Sequence, residues 1–136
     1  MTAAGVPLSR VPVYECPENT PDHGASAARF LLTHEPRPTA LLVMSDQLAF
    51  GALDAARDLG LRVPQDLSIV GFDDVPMAEW IQPQLTTVHQ PHVEKGWRAA
   101  DLLLKSLRSD ETHEPVQIIL PTELVVRATT APPDSG

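Results

Sequence analysis

Two continuous apolar stretches of strand length constrain the fold of this chain more than any other feature. TALLVM occupies residues 39–44, and LSIVGF occupies residues 67–72. A strand that is apolar at every position is typical of a parallel sheet, because helices cover both of its faces. Between these stretches, residues 48–59 have a helical pattern that ends at Gly60. The order of strand, helix and strand predicts a right-handed crossover within a parallel sheet.

The neighbouring segments extend this α/β pattern. Residues 11–15 are short, apolar and β-branched, which predicts a strand, and residues 24–34 have the spacing of a helix. Residues 83–88 are predicted to be extended. We therefore expect a parallel-sheet three-layer sandwich, with helices on both faces of the sheet.

The C-terminal third contains one long helix and two short apolar segments. Pro91 suits the first turn of a helix that continues to residue 108. Its apolar residues form one stripe: Val93, Trp97, Ala100, Leu104 and Leu107. Residues 116–120 and 122–126 are predicted to be the final strands, and the polar segment ATTAPPDSG is predicted to be a disordered tail.

Charge and length exclude several classes of partner. The 136 residues have the length of one domain, and the net charge is −8, with 18 acidic residues against 10 basic ones. A chain of this charge without a Lys/Arg cluster is not expected to bind nucleic acid or an anionic membrane by itself. No apolar run approaches the roughly 20 residues that span a bilayer. The first residues do not resemble a secretory signal, so a cytoplasmic location is expected.

Acidic residues follow both apolar strands, in MSDQ (44–47) and GFDDVP (71–76). Ligands of open parallel sheets bind beyond the carboxyl ends of the strands, so Ser45, Asp46, Asp73 and Asp74 form a candidate site. An ionised carboxylate can accept hydrogen bonds from neighbouring sugar hydroxyls. In the alternative interpretation, Asp46 caps the following helix and Asp74 caps the short turn at residues 76–80.

The features of an enzyme are missing from the sequence. It has no glycine-rich phosphate cradle and no GxSxG elbow, and its single cysteine, Cys16, cannot form a disulfide within the chain. A phosphotransfer domain would need a lysine after a late strand, whereas Lys95 and Lys105 fall inside the last predicted helix. We therefore predict a binding module without catalytic residues, metal or cofactor. A small Asp-dependent phosphotransfer or hydrolase domain is the alternative from a different class.

Several ordered motifs resemble one family. RPTALLVMSDQLAFGALDAARDLGLRVPQDLSIVGFDDVP, PQLTTVHQP and ILPTELVVRATTAPP are similar to segments of the LacI/GalR transcriptional regulators. The resemblance runs from about Thr20 to Pro133 and implies the C-terminal part of an effector-binding domain with a periplasmic-binding-protein-like type I fold. It implies a C-terminal lobe at residues 1–90, a crossover helix at 91–113 that belongs to the first lobe, returning strands at 114–129, and a tail at 130–136.

The same resemblance implies a binding site for a small-molecule effector, often a sugar. Asp73 matches the effector-binding aspartate of the family. Ser45 and Asp46 stand at an Asn-Asp pair, where serine lacks the amide. Leu42 stands at a position that is often Phe, and Asn19 at a loop position that can carry an aromatic side chain.

The resemblance also implies a homodimer. Its interface would include residues from the second helix and from the segment 80–88: Leu48, Phe50, Ala52, Leu53, Ala56, Ile81 and Leu85. DNA would be bound only through a headpiece that these 136 residues do not contain. A fragment of a periplasmic-type solute-binding protein is the alternative function. In either case, the stripe on the last helix would be exposed, exchanged with another chain or folded back.

Overall fold

The computed structural model describes residue 7 and residues 11–108 and 116–132. Its helices and strands are, in chain order, α1 (Pro21–Leu32), β1 (Ala40–Leu42), α2 (Asp46–Asp58), β2 (Ser68–Asp73), α3 (Met77–Trp80), β3 (Thr86–His89), α4 (His92–Arg108) and β4 (Glu123–Val125). The sheet has the order β1-β2-β3-β4, in which β1, β2 and β3 are parallel and β4 is antiparallel to β3. The predicted α/β class is confirmed, with a mixed sheet that is mostly parallel.

Hydroxyl side chains begin the first two helices. Thr20 Oγ1 accepts a hydrogen bond from the backbone N–H of His23, and Ser45 Oγ accepts one from the N–H of Gln47. Each cap satisfies one of the N–H groups that a helix leaves without a partner at its start. Ser45 is therefore the N-cap of α2, and Asp46 is the first residue inside that helix.

The core lies between α1, α2 and the sheet. Close approach of the two helices depends on glycine, because a Cβ atom on Gly24 would overlap the carbonyl of Leu48 and one on Gly51 would overlap that of Pro21. Small and branched apolar residues fill the remaining space: Ala25, Ala28, Leu32, Leu41, Ala49, Ala52, Ala55, Ala56, Leu67, Ile69, Ala78 and Leu85. The second helix thus buries its alanines against both α1 and β2.

The N-terminal strand predicted at residues 11–15 is wrong. That segment has no regular secondary structure, and its side chains are mostly exposed. The ring of Tyr14 lies 5.2 Å from that of Phe30, centroid to centroid, so the segment touches α1 and joins no strand of the described sheet. An apolar, β-branched segment forms a stable strand only when a partner satisfies its backbone groups.

The C-terminal segment also differs from the prediction. Residues 116–120 are not a strand, and Val116, Ile118 and Leu120 instead line a shallow groove beside Leu102 of α4. The predicted tail is ordered in its first part, because Thr129 is 0% exposed. Its Oγ1 donates to the carbonyl of Ile69 (2.6 Å) and accepts from the N–H of Thr86 (2.9 Å). Residues 109–115 and 133–136, which were predicted to be loop and tail, lie outside the described residues.

The last helix, α4, has no buried residue. Its predicted apolar stripe is open, with Trp97 75% and Leu107 73% exposed. Within the single chain, the stripe is therefore not folded back against the rest of the described residues. Among the described helices, α4 included, none is both long and apolar enough to cross a bilayer.

Candidate functional site

The carboxyl ends of β1, β2 and β3 meet at one edge of the sheet, where β2 ends at Asp73 beside His89 of β3. The backbone turns sharply there, with φ at 118° for Asp73 and 57° for Asp74. Such angles are uncommon for residues other than glycine, and they persist only where the surroundings hold them. The turn brings the two adjacent carboxylates into different environments.

Asp73 is partly exposed at this edge. Its Oδ1 accepts a hydrogen bond of 2.8 Å from Gln90 Nε2, and its carbonyl accepts one of 2.9 Å from His92 Nε2. Its second carboxylate oxygen has no hydrogen-bond partner within residues 11–108 and 116–132, so it can accept one from a ligand. Sequence reasoning missed Gln90, although the residue follows β3 just as Asp73 ends β2. The sheet-edge argument would have found it.

Asp74 makes a different set of contacts. Its Oδ1 accepts from Arg127 Nη2 at 2.7 Å, and its Oδ2 accepts from His89 Nδ1 at 2.9 Å. Burial acts to raise the pKa of Asp74, but the hydrogen bonds from Arg127 and His89 outweigh it, so that the pKa lies below its ordinary value. Asp74 does not cap the following turn, because α3 has no side-chain cap. The carboxylate stays ionised and holds Arg127 instead.

Asp46 is a buried junction between α2, β3 and the loop after β2. It is 0% exposed, its Oδ1 accepts from Thr87 Oγ1 at 2.5 Å, and its Oδ2 accepts from the N–H of Val75 at 2.9 Å. Burial raises the pKa of Asp46, and the nearby charges of Asp73 and Asp74 add to this, against the lowering effect of the two hydrogen bonds. Both of its oxygens are used within the protein.

Three other residues of the predicted effector set lie at the same edge with unequal exposure. Ser45 is buried, and its Oγ donates to Asn19 Oδ1 at 2.5 Å. Asn19 itself is exposed, as is Leu42 at the end of β1. The structure therefore brings Asp73, Leu42 and Asn19 to accessible positions, whereas Ser45 and Asp46 lie beneath them.

The Asp73–Gln90 pair at this edge can bind neutral hydroxyl groups. Asp73 offers an acceptor and Gln90 carries an amide, a pairing that matches a sugar hydroxyl. In the described ranges, no group of three or more His, Cys, Asp or Glu side chains is arranged to hold a metal ion.

Three residues of the predicted dimer interface, Phe50, Leu53 and Ile81, line an open cavity of about 510 Å³ beside α2. Its lining is both apolar and polar and comes from α2 and from the segments after α2 and α3: Phe50, Leu53, Asp54, Arg57, Leu61, Val63, Ile81, Gln82 and Pro83. Ala52, Ala56 and Leu85 were also predicted to lie at the interface. They are instead buried in the core of this chain and leave no surface for a partner. Leu48 is partly buried, beside the crossing with α1.

Comparison with known proteins agrees with this architecture. The sequence profile of the periplasmic binding protein-like domain matches residues 1–130. An HTH-type transcriptional regulator of Mycobacterium tuberculosis is 45% identical over 133 residues, which is 98% of this chain and 36% of the regulator. The chain thus spans about a third of the length of that relative.

Two solved structures have the same fold. A LacI family transcriptional regulator from Mycobacterium smegmatis is 38% identical, with a TM-score of 0.85 over 97% of this chain and 49% of the regulator. A LacI family regulator from Enterococcus faecium with bound ribose is 30% identical, with a TM-score of 0.84 over 96% of this chain and 47% of the regulator. The chain belongs to the periplasmic binding protein-like domain family, in the form that LacI/GalR-type transcriptional regulators use as part of their effector-binding domain.

Proposed function

We propose that this chain is the ligand-sensing part of a LacI/GalR-type transcriptional regulator, and that it binds a sugar through Asp73. The Asp73 carboxylate carries the proposal, because Asp73 is partly exposed at the edge of the sheet and Gln90 binds only one of its oxygens, the other having no partner among residues 11–108 and 116–132. The ribose-bound relative supports a carbohydrate as the class of ligand. In this role the chain is a binding module rather than an enzyme, and it acts in the cytoplasm.

Asp73, Leu42 and Asn19 would contact the sugar directly. Ser45 and Asp46 would act beneath them, because Ser45 holds Asn19 and Asp46 holds the N–H of Val75 next to the Asp73–Asp74 turn. A sugar that binds the open and closed arrangements of two lobes with different affinity shifts the equilibrium between them. In an intact regulator, that shift would change how two headpieces bind DNA.

The exposed stripe of α4 supports the proposed division of the chain. Large apolar side chains that are open along a whole helix indicate a missing partner surface. We infer that residues 91–113 pack on a first lobe in a complete regulator and that residues 114–129 return from it.

The cavity between α2 and the segment after α3 would in turn be covered by a second copy, which would contact Phe50, Leu53 and Ile81. Light scattering at about tens of micromolar should then detect a homodimer, and monomer alone would contradict it.

Ribose binding tests the proposed function. Adding ribose to the ¹⁵N-labelled chain should shift the NMR signals of Asp73, Leu42 and the Gln90 side-chain amide. Asp73→Asn removes the ionised acceptor and should weaken binding by about 10- to 100-fold, the range expected for a hydrogen bond to a charged group.

Asp101→Asn is the matched control, because Asp101 is an exposed aspartate on α4 that pairs with Lys105. It should leave the affinity for ribose unchanged. Ribose shifts that map away from the sheet edge, or that persist unchanged in Asp73→Asn, would overturn the proposed role of Asp73. A complete lack of shifts would count against ribose as a ligand of this chain.

A further inference from the structure

The turn after β2 has an unusual backbone that its own sequence does not explain. Asp73 and Asp74 both have positive φ, although neither is glycine. A single aspartate can adopt a left-handed conformation through local hydrogen bonds, but two in succession require support from elsewhere in the structure. The supporting contacts come from two segments that are distant in sequence.

The first support is an ion pair that fixes Asp74. Arg127 donates from Nη2 to Asp74 Oδ1 at 2.7 Å, and the two side chains are only 9% and 16% exposed. The same guanidinium donates from Nη1 to the carbonyl of Leu85 at 2.9 Å and from Nη2 to Glu79 at 3.1 Å. Since Arg127 is anchored on three sides, it sets the position of the Asp74 carboxylate. A planar guanidinium suits this task, because its several N–H groups can donate to different partners at once.

The second support comes from the end of β3 and the start of α4. His89 Nδ1 donates to the other oxygen of Asp74, and His92 Nε2 donates to the carbonyl of Asp73. Gln90 donates to Asp73 Oδ1 and in turn accepts from Lys95 Nζ at 2.9 Å. Asp74 therefore has both oxygens occupied by protein groups, whereas only one oxygen of Asp73 has a partner in the part of the chain that the structure describes.

We propose that Asp74 and Arg127 are positioning residues: they hold the turn so that the Asp73 carboxylate faces the ligand edge and meets Gln90. This inference rests on the proposed function of Asp73 and deepens it. It also links the ligand edge to the segment after β4, because Arg127 belongs to that segment. A ligand that binds Asp73 would thus change the contacts both at the start of α4 and in the segment after β4.

The test uses the whole 136-residue chain without any ligand. Asp74→Asn keeps the size of the side chain and its tolerance of positive φ, but it removes the charge that Arg127 and His89 bind. We expect the amide–α coupling constant of Asp73 to move toward the value for extended backbone, and the Gln90 side-chain amide signals to move toward those of free glutamine. Hydrogen exchange at the N–H of Val75 should accelerate by about 10- to 100-fold.

Two further variants and a control keep the test decisive. Arg127→Lys keeps the charge and should retain part of the wild-type pattern. His89→Gln changes a half-exposed side chain and should give the same changes in weaker form. Asp58→Asn is the matched control, because it breaks an exposed pair with Arg29 of the same 2.7 Å length. It should leave the signals of Asp73 and Gln90 in place.

A purely structural role would give a different result. Asp74→Asn would then lower the overall stability, while Asp73 and Gln90 in the folded chain would keep their wild-type signals, and this would overturn the proposal. If Asp74→Asn does not fold, unchanged Asp73 signals in both Arg127→Lys and His89→Gln overturn it equally. These measurements need no sugar, so a failure of ribose to bind would count against the proposed function alone.

Discussion

The helices α2 and α4 both carry apolar stripes, but the stripe of α2 is buried and that of α4 is exposed. In α2, the buried residues are small, and Gly51 lets its backbone approach that of α1. In α4, the stripe is made of large side chains such as Trp97 and Leu107, and no residue is buried. An apolar stripe therefore predicts that a helix face needs a partner. It does not predict that the partner lies in the same chain.

Different interactions hold the two helices. α2 is held by tertiary packing, whereas the side-chain pairs Glu94–Arg98 and Asp101–Lys105 lie one turn apart on α4 itself. Pairs of this kind contribute about 0.3–0.5 kcal/mol each, which is small beside the burial of a core side chain. The stability of the chain should thus depend on α2 and hardly at all on α4.

Among the substitutions within the two helices, Gly51→Ala should have the largest effect. Its new methyl group would overlap the carbonyl oxygen of Pro21, and backbone cannot move aside as a flexible side chain can. We expect the free energy of unfolding to fall by about 3 kcal/mol, at the upper end of the usual cost of overpacking. Urea unfolding followed by circular dichroism measures this change as a lower midpoint.

Gly96→Ala in α4 is the matched control, because its methyl group would meet nothing within 4 Å. Alanine favours a helix over glycine by about 1 kcal/mol, so this variant should keep or slightly increase the helix content. Equal losses of stability in the two variants would show that α4 is packed as firmly as α2. The contrast between the two helices would then be wrong.

The parts of the fold that were predicted correctly are those with local signals. The runs that became β1 and β2 could be recognised from consecutive apolar residues, and α2 from its period and its flanking Ser45 and Gly60. Residues 11–15 and 116–120 have the composition of strands, but a strand also needs a neighbour, and pairing between distant segments leaves no local trace. The order of Thr129 was missed for the same reason, because its hydroxyl bonds to β2 and β3 residues far away in sequence.

The candidate site divides in the same way. The position of Asp73 at the edge of the sheet could be predicted because it directly follows the apolar residues of β2, and its role in binding a ligand stays a prediction. The contacts of Asp74 could not be predicted, since its partner Arg127 lies 53 residues away. The prediction that Asp74 caps a turn relied on its neighbours in sequence, whereas its charge is paired with Arg127, a residue distant in sequence.

The carboxylates of Asp46 in α2 and Asp101 in α4 provide a second comparison between the two helices. Removing the Asp46 charge should have an intermediate effect on stability. Asp46 at the start of α2 is buried, and its pKa is raised, chiefly by that burial. A raised pKa in the folded state means that the contribution of this group to stability is fully present below its unfolded pKa, about 3.9. That contribution is lost as the pH rises through the folded pKa.

Asp46→Asn should remove this pH dependence. As the pH rises from about 3.9, the wild type should therefore lose stability relative to the variant. On top of this shift, the variant should lose about 1–3 kcal/mol, because one buried donor, Thr87 or the N–H of Val75, loses its acceptor. Urea unfolding at several pH values measures both effects. Asp101→Asn in α4 breaks only an exposed pair with Lys105 and should change the unfolding free energy by less than about 1 kcal/mol. A difference between wild type and Asp46→Asn that does not change with pH would contradict the burial argument.

The substitution Trp97→Ala should have the smallest effect, although it removes the largest side chain of the α4 stripe. Trp97 is 75% exposed, so its removal should change the free energy of unfolding by less than about 0.5 kcal/mol, as for other surface sites. Leu67→Ala, which empties a fully buried position, should cost about 2–5 kcal/mol in the same urea measurement. A loss above about 1.5 kcal/mol for Trp97→Ala would exceed the usual range of surface substitutions. It would mean that α4 is covered in solution, by a second copy or by its own chain, and the open stripe would no longer distinguish the two helices.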